Sequence, residues 1–415
     1  MDDQIVNLPA RPPVRMRLAR CHRVLGVPVT QEQVANIFAS LGLEFTVEGD
    51  DFIVNPPSYR FDLEIEEDLI EEVARIYGFE SIPDVPPMAR AKMFSQPEVH
   101  RGAHALRRLT AAQDYQEVVN YSFVEADWER DYAGNDTPVR LVNPIASHLS
   151  VMRSSLIGGL VANIRHNANR KQSRVRVFEL GRVFMRDADA QDGPLQVAGV
   201  RQPMRLSGAA WGPAVEEQWG VATRQVDFFD VKMDVEALFG ARGRRLRFEA
   251  AAHPALHPGR SARIELDGKQ VGWLGELHPR WAQQADLAHA PVVFELDVDA
   301  LSEGELPQVR ELSRQPVVVR DLALWVDASV STQSMLDTVF AAVKADAQLA
   351  VVQDARVFDV WREKAHGGEP VTEKSLAFRF WLQDTEVTLD EARVADCLSR
   401  IKDALVSAHG ARQRT

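Results

Sequence analysis

Cysteine is nearly absent from this 415-residue chain: Cys21 and Cys397 are the two it has. They form neither a CxxC pair nor a disulfide framework, which fits a reducing compartment. No apolar run approaches the roughly 20 residues that span a bilayer. The opening MDDQIVNLPARPP is acidic and polar and lacks a secretory apolar core. Positive charge is the minority, with 48 Lys and Arg against 60 Asp and Glu and a net of −12. That balance disfavours non-specific adhesion to nucleic acid, although it leaves room for a locally suited RNA surface. Walker A, GxGxxG and HExxH motifs are missing, as are internal repeats. The expectation is a soluble, cytoplasmic, multidomain chain with no membrane association.

What the chain does have is ordinary core-forming material, 45% hydrophobic and 26% charged. Three units follow from the pattern. Residues 13–88 read as a small α+β module: Thr30-Gln-Glu-Gln33 has capping-box form, and Val34, Ile37, Phe38 and Leu41 follow at helical spacing. EFTVE and FIVN flank Gly49-Asp50 as a hairpin, and a second helix spans Ile65 to about Tyr77. Residues 89–310 read as a mainly antiparallel sheet with flanking helices. These include helices over 104–112 and 154–169, the strands QEVVNYSFV and RVRVFEL, and a hairpin turning at Asp267-Gly268. Residues 313–415 give strand–helix–strand–strand–helix with room for a short last strand, the ferredoxin-like order. Its final helix opens at the capping-box sequence Thr388-Leu-Asp-Glu391. The fold class is α+β multidomain.

Negative charge is concentrated. From Asp50 to Arg90 eleven carboxylates face three arginines, a local net of −8. On the second helix Leu69, Ile70, Val73, Ile76 and Tyr77 form an apolar stripe, and Asp68, Glu71 and Glu72 share the opposite face. Carboxylates at the helix start suit its dipole, but that help fades after the first turn. Three readings stand open at this point: a solvated acidic face, a hard-cation site that Asp62 could join from the preceding loop, and a docking face for a basic partner.

Two other clusters are less pointed. His253 and His257 have i, i+4 spacing, but Pro254 and Pro258 argue against the helix that would align them. Arg165, His166, Arg170, Lys171, Arg174 and Arg176 read either as a solvated helix end or as a contact to phosphates or a partner. In the last unit 13 basic and 15 acidic residues rule out a simple electrostatic clamp. Alternation along VFDVWR places Asp359 and Trp361 together, opposite Phe358 and Val360, where bases of a single-stranded loop could stack and pair.

The stretch PPSYRFDLEIEEDLIEEVARIYGFESIP closely resembles the signature of the module that follows the editing region in bacterial phenylalanyl-tRNA synthetase β subunits. The similarity continues through NPIASHLSVMRSSLIGGLVANIRHNANR, VFELGRVF, VDFFDVKMDVEALFG, HPGRSARIELDGKQVGWLGELHP and SRQPVVVRDLALWV, in family order. His148 stands where a carboxylate is expected. The resemblance implies Mg²⁺ held by Asp62, Asp68, Glu71 and Glu72, and a degenerate class II synthetase-like middle domain with no catalytic residues. It implies a C-terminal anticodon-binding domain, with Asp359 and Trp361 on its RNA-facing sheet. It further implies a catalytic α subunit as partner, in a heterotetramer of two α and two β chains, and tRNA as ligand. The family's N-terminal oligonucleotide-binding and editing modules are not in this sequence, so no editing activity is expected of it. The competing expectation is a stand-alone RNA-binding or regulatory protein derived from such a subunit.

Overall fold

The computed structural model describes residues 6–7, 11–86, 88–91, 93, 95, 97–194, 196–309, 312–362 and 372–414. It divides into two units, Met1–Ser95 and Gln96–Thr415. In the first, the capping box forms as expected: Gln33 N–H donates to Thr30 Oγ1 at 3.2 Å, and Thr30 N–H donates to Gln33 Oε1 at 2.7 Å. The elements are β1 (Val14–Arg17), α1 (Leu18–Leu25), α2 (Gln31–Ser40), β2 (Glu44–Glu48), β3 (Asp51–Asn55) and α3 (Glu66–Tyr77). The predicted hairpin gains a third strand, in the antiparallel order β1-β3-β2. Met16, Phe38, Phe52, Val54, Leu69 and Val73 fill the core. Phe38 and Phe52 meet edge to face at 5.4 Å.

The second unit opens on α4 (Ala103–Ala111) and β4 (Gln116–Glu117). There follow α5 (Ile157–Ala168), β5 (Val175–Arg182), β6 (Met204–Trp211), α6 (Phe228–Phe239), β7 (Leu246–Ala250), β8 (Leu256–Leu266), β9 (Lys269–Leu277) and β10 (Val292–Asp297). These strands make a seven-stranded sheet in the order β7-β8-β9-β10-β6-β5-β4. Every pairing is antiparallel except that of β4 with β5. The β8–β9 turn is the predicted one, with Asp267 at φ 52° and Gly268 at φ 79°, a conformation that glycine and aspartate tolerate best. The expected long strand over QEVVNYSFV is instead two short pieces. Gln116–Glu117 pairs with β5, while Phe123–Val124 leaves the sheet to pair with Val151–Met152.

One sheet face buries Phe178, Leu206, Leu274 and Phe294 against Val231, Val235 and Leu238 of α6. The other buries Val177, Ala209 and Val293 under Ile157, Leu160 and Ile164 of α5. Along β5, β6 and β10 the register places Glu179, Ser207 and Glu295 on that second face, with Arg205 and Asp297 beyond them. Five polar residues thus share the sheet face that carries α5.

The C-terminal elements are β11 (Val318–Asp327), α7 (Thr332–Ala345), β12 (Val352–Arg362), β13 (Glu373–Leu382), α8 (Glu391–His409) and β14 (Arg412–Gln413). Sheet order β12-β13-β11-β14 completes the ferredoxin-like pattern, including the short last strand. Leu322, Leu324, Leu376, Phe378 and Phe380 pack under Met335, Val339, Val394 and Ile401 of the two helices. One cap differs from expectation. Asp390, directly before the first helical residue, accepts from Arg393 N–H at 2.8 Å, and Thr388 lies too far upstream and donates to Gln315 instead. An Asx cap in contact with the first turn satisfies orphan amides that a residue two positions earlier cannot reach.

Candidate functional site

On α3 the structure separates the four predicted metal ligands. Asp68 turns back over the helix start and accepts backbone N–H bonds from Glu64 and Ile65, both at 2.8 Å. Asp62, in the leading loop, receives the Arg60 guanidinium, with Nη2 at 2.6 Å. The same Arg60 Nη2 reaches Glu72 Oε1 at 2.8 Å, and Arg75 pairs with Glu72 Oε2. Glu71 is exposed. Among the described residues no three His, Cys, Asp or Glu side chains converge to hold a metal ion. The guanidinium of Arg60 stands between Asp62 and Glu72.

Glu72 also corrects the helical-wheel reading. It is 7% exposed, not solvated, while Ile76, assigned to the apolar stripe, is 42% exposed. The loop carrying Arg60 lies against the side of α3 that the wheel left to water. Burial pushes the Glu72 carboxyl up, but the guanidiniums of Arg75 and Arg60 outweigh it and hold Glu72 below the usual carboxylate range. Asp62 is likewise held low by Arg60. Glu66 and Glu67 at the helix start pair with Arg17 and Arg20. Most of the acidic excess of this helix is therefore locally neutralised.

The second candidate site is the open face of the ferredoxin-like sheet, opposite its helices. Register places Trp361 across from Ser375 on β13, and Ser375 across from Trp325 on β11, so the two indoles share this face. They meet edge to face at 5.3 Å, and the Arg414 guanidinium lies 5.7 Å from each ring centroid. Arg379 stacks on Phe358 at 4.5 Å, and Arg356 on Trp381 at 5.2 Å. Simple alternation put Phe358 on the other face. A register shift between Val357 and Asp359 inserts an extra residue and brings Phe358 round to Arg379. Asp359 is exposed and pairs across from Ala377 on the same face as Trp361. Trp361 is itself 41% exposed. The Gly367-Gly368 turn, the expected cover for Trp361 in a purely packing role, lies outside the described residues.

Three aromatic–arginine stacks on one open sheet face can do what a basic clamp does by other means. Rings offer π-faces to unstacked bases, and the arginines add cation–π attraction and donors. Acidic partners keep the net charge low, since Arg379 is bound by Asp321 and Arg356 by Asp354, each with a contact at 2.8 Å. Composition alone could not reveal this surface, because its arginines and carboxylates cancel.

In the seven-stranded domain the sequence reading missed a buried ion pair. Arg153 Nη2 meets Glu179 Oε1 at 2.8 Å, with the two side chains 5% and 4% exposed. Asn120 donates to Glu179 Oε2 at 2.8 Å and to Asn163 of α5 at 3.0 Å. A Cβ at Gly181 would stand 2.5 Å from Arg153 Nη2, so the glycine of VFELGRVF leaves room for that guanidinium. The Gly158-Gly159 pair serves packing too: added Cβ atoms would meet Trp128 at 2.8 Å and Asn120 at 3.1 Å. The basic cluster does not hold together as a surface. Arg176 is drawn inward to Asp234 and Tyr115, and Arg174 binds Asp114 at 2.6 Å. His253 and His257 each accept a nearby backbone N–H through Nδ1, from Ala255 and Gly259. Burial lowers His253 to about 4.

A three-part chain with an anticodon-type ferredoxin sheet defines an aminoacyl-tRNA synthetase architecture. Residues 14–79 match the tRNA synthetase B5 domain, residues 82–298 the phenylalanyl tRNA synthetase beta chain CLM domain, and residues 313–414 the ferredoxin-fold anticodon binding domain. The chain belongs to the phenylalanyl-tRNA synthetase beta chain family. It is 78% identical over 414 residues to the phenylalanine–tRNA ligase beta subunit of Bordetella bronchiseptica. The corresponding figures are 55% over 415 residues for Ralstonia nicotianae and 54% over 416 for Burkholderia pseudomallei. In each case the similarity covers 100% of this chain and 51% of the relative, so the chain spans about half the length of the curated relatives it matches. Among the described residues no helix is long and apolar enough to cross a membrane.

Proposed function

We propose that this chain works as the tRNA-holding and partner-docking portion of a cytoplasmic phenylalanine–tRNA ligase. In this reading it supports ATP-dependent attachment of phenylalanine to tRNA beside a catalytic α subunit, in a heterotetramer of two α and two β chains. The observation that carries the reading is the open ferredoxin sheet with its stacked Trp325, Trp361 and Arg414. Anticodon bases unstack onto Trp361 and its neighbours, and Asp359 accepts from a base amino group. Docking draws on the exposed apolar side chains of Val119, Tyr121, Val142 and Ile145, in the loops between β4 and α5. Glu71 adds an exposed carboxylate for a basic partner segment. Mg²⁺, a cofactor of ATP-dependent ligation, belongs in this reading, with Asp62, Asp68, Glu71 and Glu72 as the carboxylates that would hold it once Arg60 and Arg75 give way. The division at 13–88, 89–310 and 313–415 is part of the proposal and is supported by separate buried cores.

The test is Trp361→Ala in the complex with the α subunit. Loss of one stacked base removes about 1–3 kcal/mol of tRNA binding, roughly 5- to 150-fold in affinity. Pyrophosphate exchange, which uses no anticodon, stays near the wild-type rate. Because Trp361 is substantially exposed, stability falls only by about the 0.5–1.5 kcal/mol of its aromatic pair. Intact tRNA affinity in a folded variant with a lowered melting temperature would rule the stacking role out.

A further inference from the structure

A cavity of about 550 Å³ opens on the part of the seven-stranded sheet that α5 leaves uncovered. That volume lies within the range of roughly 300–1,000 Å³ typical of small-molecule sites. Glu295 and Asp297 of β10 and Arg205 of β6 form its floor, Trp273 of β9 one wall, and Gln270 its rim. The charges here are unequally satisfied. Arg205 pairs with Asp297, and the Arg186 guanidinium donates to the carbonyls of Thr137 at 3.1 Å and Pro138 at 3.4 Å. Glu295 receives the Ser155 hydroxyl at 3.0 Å and the Leu156 N–H at 2.7 Å, both on Oε1. Among the described residues no donor reaches Oε2.

A carboxylate oxygen that opens into a partly enclosed cavity with no protein donor on it is a ready acceptor for a cation. Burial pushes the Glu295 carboxyl up, against the lowering effect of the Leu156 N–H and the Arg205 charge. Beside it the Trp273 indole packs 4.8 Å from the His253 ring, and that histidine stays neutral near pH 7, adding no competing charge. An indole face next to a lone carboxylate oxygen suits an ammonium with an apolar body.

We infer that this cavity binds a small molecule bearing a protonated primary amine, its ammonium donating to Glu295 Oε2 and its apolar part lying along Trp273 towards Gln270. The site lies on the seven-stranded sheet, and its test needs no α subunit. Calorimetry on the 415-residue chain tests it with phenethylamine and with N-acetylphenethylamine, which keeps the ring but loses the cation. The amine binds with a Kd of ~1 mM or tighter, and the amide gives no heat. Glu295→Gln keeps an acceptor for Ser155 and Leu156 and weakens amine binding about tenfold or more, the range of one charge-assisted hydrogen bond. Gln270→Trp, at the exposed rim, blocks entry while leaving the floor untouched, and decides the matter if Glu295→Gln fails to fold. Absence of amine binding, equal affinity for amine and amide, or unchanged affinity in the folded variants would each overturn the assignment.

Discussion

Truncating Glu179 to alanine is expected to destabilise the second unit by about 3–5 kcal/mol, the cost of leaving one member of a buried ion pair alone. Arg153, at 4% exposure, then keeps its charge inside the sheet–helix interface with only carbonyl partners, Arg182 at 3.1 Å and Tyr121 at 3.5 Å. Asn120 loses its 2.8 Å acceptor in the same step and keeps only Asn163. Replacing both members, as Arg153→Met with Glu179→Gln, should cost markedly less than Glu179→Ala alone, because no unpaired charge remains. Urea unfolding of the two variants against wild type measures both numbers. A Glu179→Ala loss below about 1 kcal/mol would mean that water or a shifted Arg153 relieves the charge, and the network would not be holding α5 to the sheet.

The second large effect concerns the acidic helix. Glu72→Gln should lower the stability of the first unit by about 1.5–3 kcal/mol. This is less than for a fully buried pair, because Arg60 and Arg75 are 23% and 48% exposed. In a domain of 60–100 residues, 1 kcal/mol corresponds to roughly 4–8 °C in melting temperature. Glu71→Gln, on the exposed side, should stay within about 0.5 kcal/mol of wild type. The pH dependence has a definite sign. Glu72 is held below its ordinary value of 4.5, so its contribution is fully present above that value and is lost as pH falls through the folded one. Wild type and Glu72→Gln should therefore differ fully in stability above about pH 5 and approach each other as pH falls below 4.5. Equal melting temperatures at pH 7 would return Glu72 to the solvated face that spacing alone proposed.

Those two residues mark where local reading stops. Glu72 stands three residues after Leu69, on the flank of the apolar stripe, and a wheel has no term for the loop that brings Arg60 across it. Glu179 sits in an apolar run, RVRVFEL, with its partner 26 positions earlier in sequence. No periodicity links such a pair; only the turn of the chain into α5 and back into β5 does.

The sequence by itself determined what depends on neighbours within a few residues: the Thr30 capping box, the Asp267-Gly268 turn, and the ferredoxin-like order of the last hundred residues. It also carried the family motifs. Their physics is local, set by backbone sterics, by cap hydrogen bonds and by the 3.6- and 2-residue periods of burial. Tertiary structure decided the rest. It bridged Asp62 and Glu72 with Arg60, and it drew Arg176 inward from a basic run. The bulge between Val357 and Asp359 turned Phe358 onto the face of Trp361, and β14 brought Arg414 over both indoles. Each outcome depends on which groups meet across the fold, because the energy of a charge or a ring is set by what desolvates it and what it then touches.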